Sequence, residues 1–204
     1  MQSGDYSPMQ AKEPWINLSC CEFLKRHLYQ PGFVAEFGGG GSTHYFLRKG
    51  FQVVTVEHDE KWVQMLSREI SNQCDQASWT CIAKKPVNRS GEARIEDAAD
   101  PDLYCSADDL TLDFQSYASA LDLYPDEYFS CIVVDGRARP SCIKHAVPKL
   151  KKKGLLVIDN TEREYYLTSK TLDHLQGFSK VFDEYAPVKG LVSFTKSTIY
   201  QSLA

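Results

Sequence analysis

The sequence predicts an α/β protein: a doubly wound, mostly parallel seven-stranded sheet with helices on both faces and an antiparallel strand pair at its C-terminal end. Three observations carry that prediction. Short apolar runs alternate with amphipathic stretches of helical period, the pattern of repeated strand–helix–strand units. The first run, residues 33–37, empties into four consecutive glycines, Gly38 to Gly41, followed by Ser42 and Thr43. Three later runs each end in an acid: Glu57, Asp135 and Asp159. Ligands of open parallel sheets lie beyond the carboxyl ends of the strands, so polar residues gathered there mark a site.

The elements follow in order. Residues 1–14 are polar, carry Pro8 and Pro14, and read as a loose arm. Residues 18–29 read as a helix with Leu18, Cys21, Leu24 and Leu28 on one face, ended by Pro31 and Gly32. Residues 33–37 suit a buried strand. Ser42 or Thr43 can cap a short helix over 43–49, closed by Gly50. A second strand over 52–56 leads to a helix over 59–73, with Asp59 as its cap and Trp62, Val63, Leu66 and Ile70 inward. Residues 78–83 form a third strand.

From 84 to 113 the alternation breaks. Lys84-Lys85-Pro86 and Arg89-Ser90-Gly91 are turn-like, and residues 96–102 are acidic. A connection this long is a candidate substrate-facing lid or insertion, or else a solvated surface loop. Residues 113–123 return to helix, with Phe114, Tyr117, Ala118 and Leu121 together. A fourth strand over 128–134 precedes a helix over 141–151, which Pro148 should kink. The basic run over 149–153 reads as a helix C-terminus complementing its dipole. A fifth strand covers 154–158, a helix 161–176, and two closing strands 178–185 and 191–200.

Composition bounds the function. A chain of 204 residues allows one domain, 1–204, with a sizeable core. A net charge of −4 argues against a general nucleic-acid or anionic-membrane binder. No apolar run approaches the roughly 20 residues that span a bilayer. The stretch Met1-Gln2-Ser3-Gly4-Asp5 lacks the basic and apolar regions of a signal peptide. Seven cysteines are scattered without a Cys-x-x-Cys pair, which predicts reduced, mostly buried thiols in a cytosolic protein and no zinc site. No nucleic-acid or membrane partner is expected, and oligomeric state is not legible.

The glycine run discriminates among nucleotide folds. A Gly-x-Gly-x-x-Gly reading from Gly38 puts its last position on Thr43, and no lysine precedes Ser42 to make a phosphate loop. What fits is acid-x-Gly-x-Gly: Glu36, Gly38 and Gly40. This resembles motif I of the class I S-adenosylmethionine-dependent methyltransferases, although the third glycine of the usual pattern falls on Ser42. With Glu57 at the end of the second strand, the resemblance runs from about residue 15 to 200, and its fold is the Rossmann-like one just described.

The resemblance implies S-adenosylmethionine as cofactor. Glu36, Gly38, Gly39, Gly40, Gly41, Ser42 and Thr43 would pass its methionine and ribose part. Glu57 would hold the ribose hydroxyls, His58 would border the adenine, and Asp135 would lie at the fourth strand end. Asp135, Arg137 and His44 are the catalytic candidates. Arg137 and Arg139 could grip a carboxylate or phosphate on the acceptor, or pair with Asp135 or the acidic loop. Cation-dependent O-methyltransferases of the catechol type place an Asp after strand four and Asp-Asn after strand five around magnesium. Asp135, Asp159 and Asn160 match that set for Mg²⁺ or Mn²⁺, but the family's lysine would fall near Ala138. The implied activity is methylation of a small molecule, at oxygen rather than nitrogen. The alternatives are a non-catalytic binding or scaffold protein of the same fold and an NAD-dependent oxidoreductase.

Overall fold

The computed structural model describes residues 7–71, 78–190 and 193–203. Its helices are α1 (Pro8–Ala11), α2 (Leu18–His27), α3 (Gly41–Arg48), α4 (Glu60–Ser71), α5 (Gln115–Ala118), α6 (Arg139–Ala146) and α7 (Ser169–Asp173). Its strands are β1 (Phe33–Phe37), β2 (Gln52–Glu57), β3 (Trp79–Ala83), β4 (Val87–Asn88), β5 (Leu112–Asp113), β6 (Phe129–Val134), β7 (Leu150–Ile158), β8 (Phe178–Pro187) and β9 (Phe194–Ser202).

Seven strands form one sheet in the order β3-β2-β1-β6-β7-β9-β8. The first five are mutually parallel, β9 enters antiparallel beside β7, and β8 pairs antiparallel with β9 at the edge. Chain order reverses at β1, between β2 and β6, so the ligand crevice of such a sheet opens there. Val34, Ala35 and Phe37 of β1 are all fully buried, as a strand covered on both faces requires. One face packs Phe37, Val54, Ile132 and Leu156 under Phe114, Tyr117 and Ile143. The other packs Val34, Val53 and Val133 under Leu24 of α2 and Phe46 of α3.

Tertiary contacts move several predicted boundaries. On α2, Cys20 and Leu24 are buried while Leu18 is exposed, so the inward stripe is rotated from the predicted one. The cause is Asn17, buried at the helix start. Its Oδ1 accepts from Cys20 N–H at 2.8 Å, and its amide reaches Glu184 O at 3.0 Å and Thr195 O at 3.1 Å across the β8–β9 pair. On α4 only Leu66 and Ile70 are buried; Trp62 lies at the surface. The helix over 141–151 stops at Ala146 and tightens into a 3₁₀ turn, Val147–Lys149, because Pro148 has no N–H to continue it. The basic run therefore has only Lys149 at the end of that turn and the rest in β7. The helix over 161–176 is replaced by a 3₁₀ turn, Glu164–Leu167, and the short α7. Part of the predicted last strand, at 191–192, lies outside the described residues.

The described end of the arm and the long connection are both tied down. Past α1, Glu13 pairs with Lys189 at 2.6 Å. Within 84–113, β4 and β5 form a two-stranded antiparallel ladder and Ala98 is buried. Asp100 pairs with Lys170 at 2.5 Å and Asp102 with Lys144 at 2.6 Å. The acidic loop thus pairs with lysines of α6 and α7. The six described cysteines are free, and four of them are buried; Cys74 lies outside the described residues.

Candidate functional site

β1 ends in the glycine bend because its ladder continues one residue too far for a side chain. Gly38 N–H donates to Val56 O at 2.9 Å, its φ is +88°, and a Cβ there would meet the Gly136 backbone at 3.2 Å. Only glycine takes that conformation without strain. Gly39 approaches more closely still: a Cβ would lie 2.4 Å from Thr55 Cγ2. α3 starts at Gly41, and Gly40 is its N-cap.

Neither Ser42 nor Thr43 is the N-cap itself, but Thr43 caps α3 from its third position. Thr43 Oγ1 accepts from Gly40 N–H at 2.9 Å and donates to Glu36 Oε1. Ser42 Oγ donates to Glu36 Oε2 at 2.6 Å, and Thr55 Oγ1 donates to Glu36 Oε1 at 2.8 Å. Glu36 is fully buried, and burial raises its carboxyl to about 7 against the three hydroxyls that lower it. It fastens the bend from below and presents no free face to a ligand. Thr55, unremarked in the sequence, is the residue that joins β2 to this knot.

Glu57 turns toward the bend. Its Oε2 accepts from Gly39 N–H at 3.2 Å, and its Oε1 accepts from His58 N–H at 2.7 Å and Asp59 N–H at 3.0 Å. Burial pushes this carboxyl up, but the amides and the His58 ring outweigh it, and it is held below the ordinary glutamate range. His58 Nδ1 lies 2.8 Å from Oε1. Each carboxylate oxygen has about two acceptor sites. Oε1 is filled, so one further hydroxyl can be taken at Oε2. The predicted grip on a ribose diol through both oxygens becomes a one-oxygen grip in this arrangement.

The walls come from residues the motif reading passed over. Trp62 Nε1 donates to Gly39 O at 2.7 Å. Trp62 and Met9 both lie in van der Waals range of the position a Gly40 Cβ would take. His58 stands edge-on to Phe114 and Tyr117, with centroids 5.9 and 5.8 Å apart. Tyr117 is fully buried, and its hydroxyl is 2.0 Å from where a Gly136 Cβ would fall, so Gly136 is needed there. The polar group beside that hydroxyl is the Arg137 backbone, and burial pushes its pKa up. Sequence periodicity marked Trp62 and Tyr117 as core, since an aromatic at helical spacing carries no signal of which end faces a crevice.

Beyond β6 and β7 the centre is Arg139. This buried guanidinium donates from Nε to Gly136 O at 3.0 Å and from one terminal nitrogen to Asp159 O at 2.5 Å. Its other terminal nitrogen reaches Asp135 Oδ1 at 3.0 Å and Asn160 Oδ1 at 3.2 Å. It also stacks 4.9 Å from the Tyr166 ring centroid. Arg139 is thus not available to an acceptor. Asp135, Asp159 and Asn160 do come together, but around this built-in cation. The second Asp159 partner is Ser197 Oγ, at 2.6 Å from Oδ1. These residues do not fit a divalent ion as placed, and among the described residues no cluster of three His, Cys, Asp or Glu side chains suited to a metal is present.

The catalytic candidates separate. Asp135 has a side chain about 32% exposed at the rim. Partial burial raises its carboxyl, against the nearby arginines. Arg137 pairs with Asp108 at 2.8 Å, which ties the 84–113 connection to the end of β6. His44 is fully buried within α3, with neither ring nitrogen hydrogen-bonded; burial lowers its pKa, with Lys12 adding to the effect. The fold does not bring His44 to the rim.

No protein-family profile matches this chain, and no curated protein matches it in sequence. Solved structures do match in three dimensions. Cofactor-bound Rv0187 from MTB superposes with a TM-score of 0.61 at 14% identity, over 98% of this chain and 92% of the other. A Klebsiella pneumoniae protein provisionally described as an O-methyltransferase gives 0.57 at 17% identity, over 100% and 84%. The Burkholderia thailandensis 1,6-didemethyltoxoflavin-N1-methyltransferase, solved with S-adenosylhomocysteine, gives 0.54 at 14% identity, over 98% and 80%. At such identities the likeness establishes the architecture alone, a Rossmann-like fold that these proteins share.

Proposed function

We propose that this chain is an S-adenosylmethionine-dependent methyltransferase that acts on a hydroxyl of a small-molecule acceptor in the cytosol. The observation that carries the reading is the Glu57–Gly39 hydrogen bond. It places an ionised acid with one open acceptor position against the backbone of a glycine bend, at the strand-order reversal of a methyltransferase fold. The membrane side of the proposal is consistent with the helices: among the described residues none is long and apolar enough to cross a bilayer.

The residues present suit an adenosyl group chemically. Gly38 to Gly41 would take its methionine end, Glu57 a ribose hydroxyl through Oε2, and His58 with Phe114 would flank the adenine. Bound there, S-adenosylmethionine supplies an electrophilic methyl on a sulfonium. The chain's own work is alignment and exclusion of water, which can lower a barrier by several kcal/mol. Asp135 is the group placed to accept the acceptor's proton. It lies at the rim beside the bend, and its raised pKa brings it nearer to the operating pH of a general base. Arg139 positions Asp135 and keeps the ends of β6 and β7 together. No metal step is needed.

One observation favours the scaffold reading instead: Trp62 and Met9 already cover the bend. Titration calorimetry with S-adenosylmethionine and S-adenosylhomocysteine decides between them. Micromolar binding, accompanied by a change in tryptophan emission that Trp62→Phe abolishes, supports the enzyme. Silence for both ligands from a folded protein leaves the scaffold.

A further inference from the structure

The lysines at 151–153 take no part in the site above. Lys149 is buried and paired with Asp126 at 2.7 Å, but its successors are treated differently. The β6–β7 register steps from Phe129↔Leu150 to Cys131↔Leu155. Residues 151–154 therefore bulge out opposite Ser130 alone. Lys153 has φ +60°, a conformation disfavoured for any residue with a Cβ. Lys151, Lys152 and Lys153 are all exposed.

They lie at the mouth of an open hollow. With Arg26 and His27 from the last turn of α2, and Tyr29 just beyond, they line a cavity of about 480 Å³ at the amino ends of the strands. No acidic residue lines it. Glu22, the acid one turn before Arg26, is taken by Lys25 at 2.5 Å. Lys151 Nζ lies 5.9 Å from the Phe33 ring centroid, but among the described residues no acid pairs with these three lysines, in a chain that is acidic overall.

We propose that this cavity binds the multiply charged phosphate group of a small molecule, at the edge of the sheet opposite the glycine bend. Ammonium point charges around a hollow match several phosphate oxygens at once. Tyr29, 74% exposed, offers a ring face to a flat group attached to the phosphates. A concave site on an acidic molecule favours a compact anion over an extended one, because the rest of the surface repels a long polyanion.

The test is calorimetry of the full chain with inorganic tripolyphosphate. Binding should weaken with added salt and fall at least about tenfold in the Lys151→Glu/Lys152→Glu variant. Lys153→Gly should raise the melting temperature by relieving the turn, yet weaken binding; those opposite signs would not come from a merely structural lysine. S-adenosylhomocysteine affinity should be the same in every variant, which keeps this proposal separable from the methyltransferase reading. No heat with tripolyphosphate, or equal affinity in the variants, overturns it. Binding of a single-stranded RNA or of phosphatidylserine vesicles without binding of tripolyphosphate also overturns it, in favour of a macromolecular partner.

Discussion

Glu36 and Glu57 are both acids at the end of a central strand, and the fold sets them to different tasks. Glu36 is walled in by three hydroxyls, so its carboxyl is a fastener. Glu57 receives backbone amides and keeps one acceptor position open toward the bend. Glu57→Ala should therefore weaken S-adenosylhomocysteine binding more than about tenfold by calorimetry, since a charged hydrogen bond is lost. Unchanged affinity would take Glu57 out of the site. Tyr117 makes a second residue-scale case. Its hydroxyl is buried beside the Arg137 backbone, which offsets burial only in part, so Tyr117→Phe should cost no more than about 1 kcal/mol in urea unfolding. Gly136→Ala should cost about 1–3 kcal/mol by overpacking against that hydroxyl. The cost should shrink in the Tyr117→Phe background, though not vanish, because the Phe37 backbone is also only 3.1 Å away.

At the scale of elements, the joint between β6 and β7 is held by one side chain from the first turn of α6. Arg139 binds three carbonyls and two side-chain oxygens contributed by residues 135–136 and 159–160. Arg139→Ala leaves Asp135 and the buried Asp159 without their cation, and should destabilise the protein by about 3–5 kcal/mol in denaturant melts. Methyl transfer, if assayed with the wild-type chain, should be indifferent to a chelator, because Arg139 already holds the Asp135 carboxylate and the Asp159 carboxylate is turned to Ser197. Restoration of activity by Mg²⁺ after chelation would show that Arg139 moves aside. The motif reading gathered Asp135, Asp159 and Asn160 correctly as neighbours. It could not see that Arg139 takes the Asp135 carboxylate and the Asp159 main-chain carbonyl while the Asp159 carboxylate turns to Ser197.

At the scale of the molecule, buried ionisable groups make stability depend on pH. Glu36 is raised from 4.5 to about 7 in the folded state, so between those values the folded chain holds a proton that the unfolded chain has lost. Stability from this group is full below pH 4.5 and is lost as the pH rises through about 7. The loss is on the order of 3 kcal/mol. Asp159, raised to about 7, acts in the same direction, while His44, lowered by burial, costs stability as the pH falls. Melting temperatures of Glu36→Gln and wild type across pH 4.5 to 8 isolate the first effect: the variant should decline less with rising pH. Parallel profiles would mean that Glu36 is ionised throughout. Taken alone, the sequence determined the strand–helix alternation, the glycine bend and the acids at the strand ends, because hydrophobic period and backbone permissiveness are local properties written residue by residue. Only the tertiary structure decided which acid faces the bend, that Arg139 fills the space among Asp135, Asp159 and Asn160, that α2 turns on Asn17, and that the lysine run bulges from β7. Those outcomes depend on which distant side chain arrives with a matching donor, acceptor or volume, and spacing along the chain does not record that.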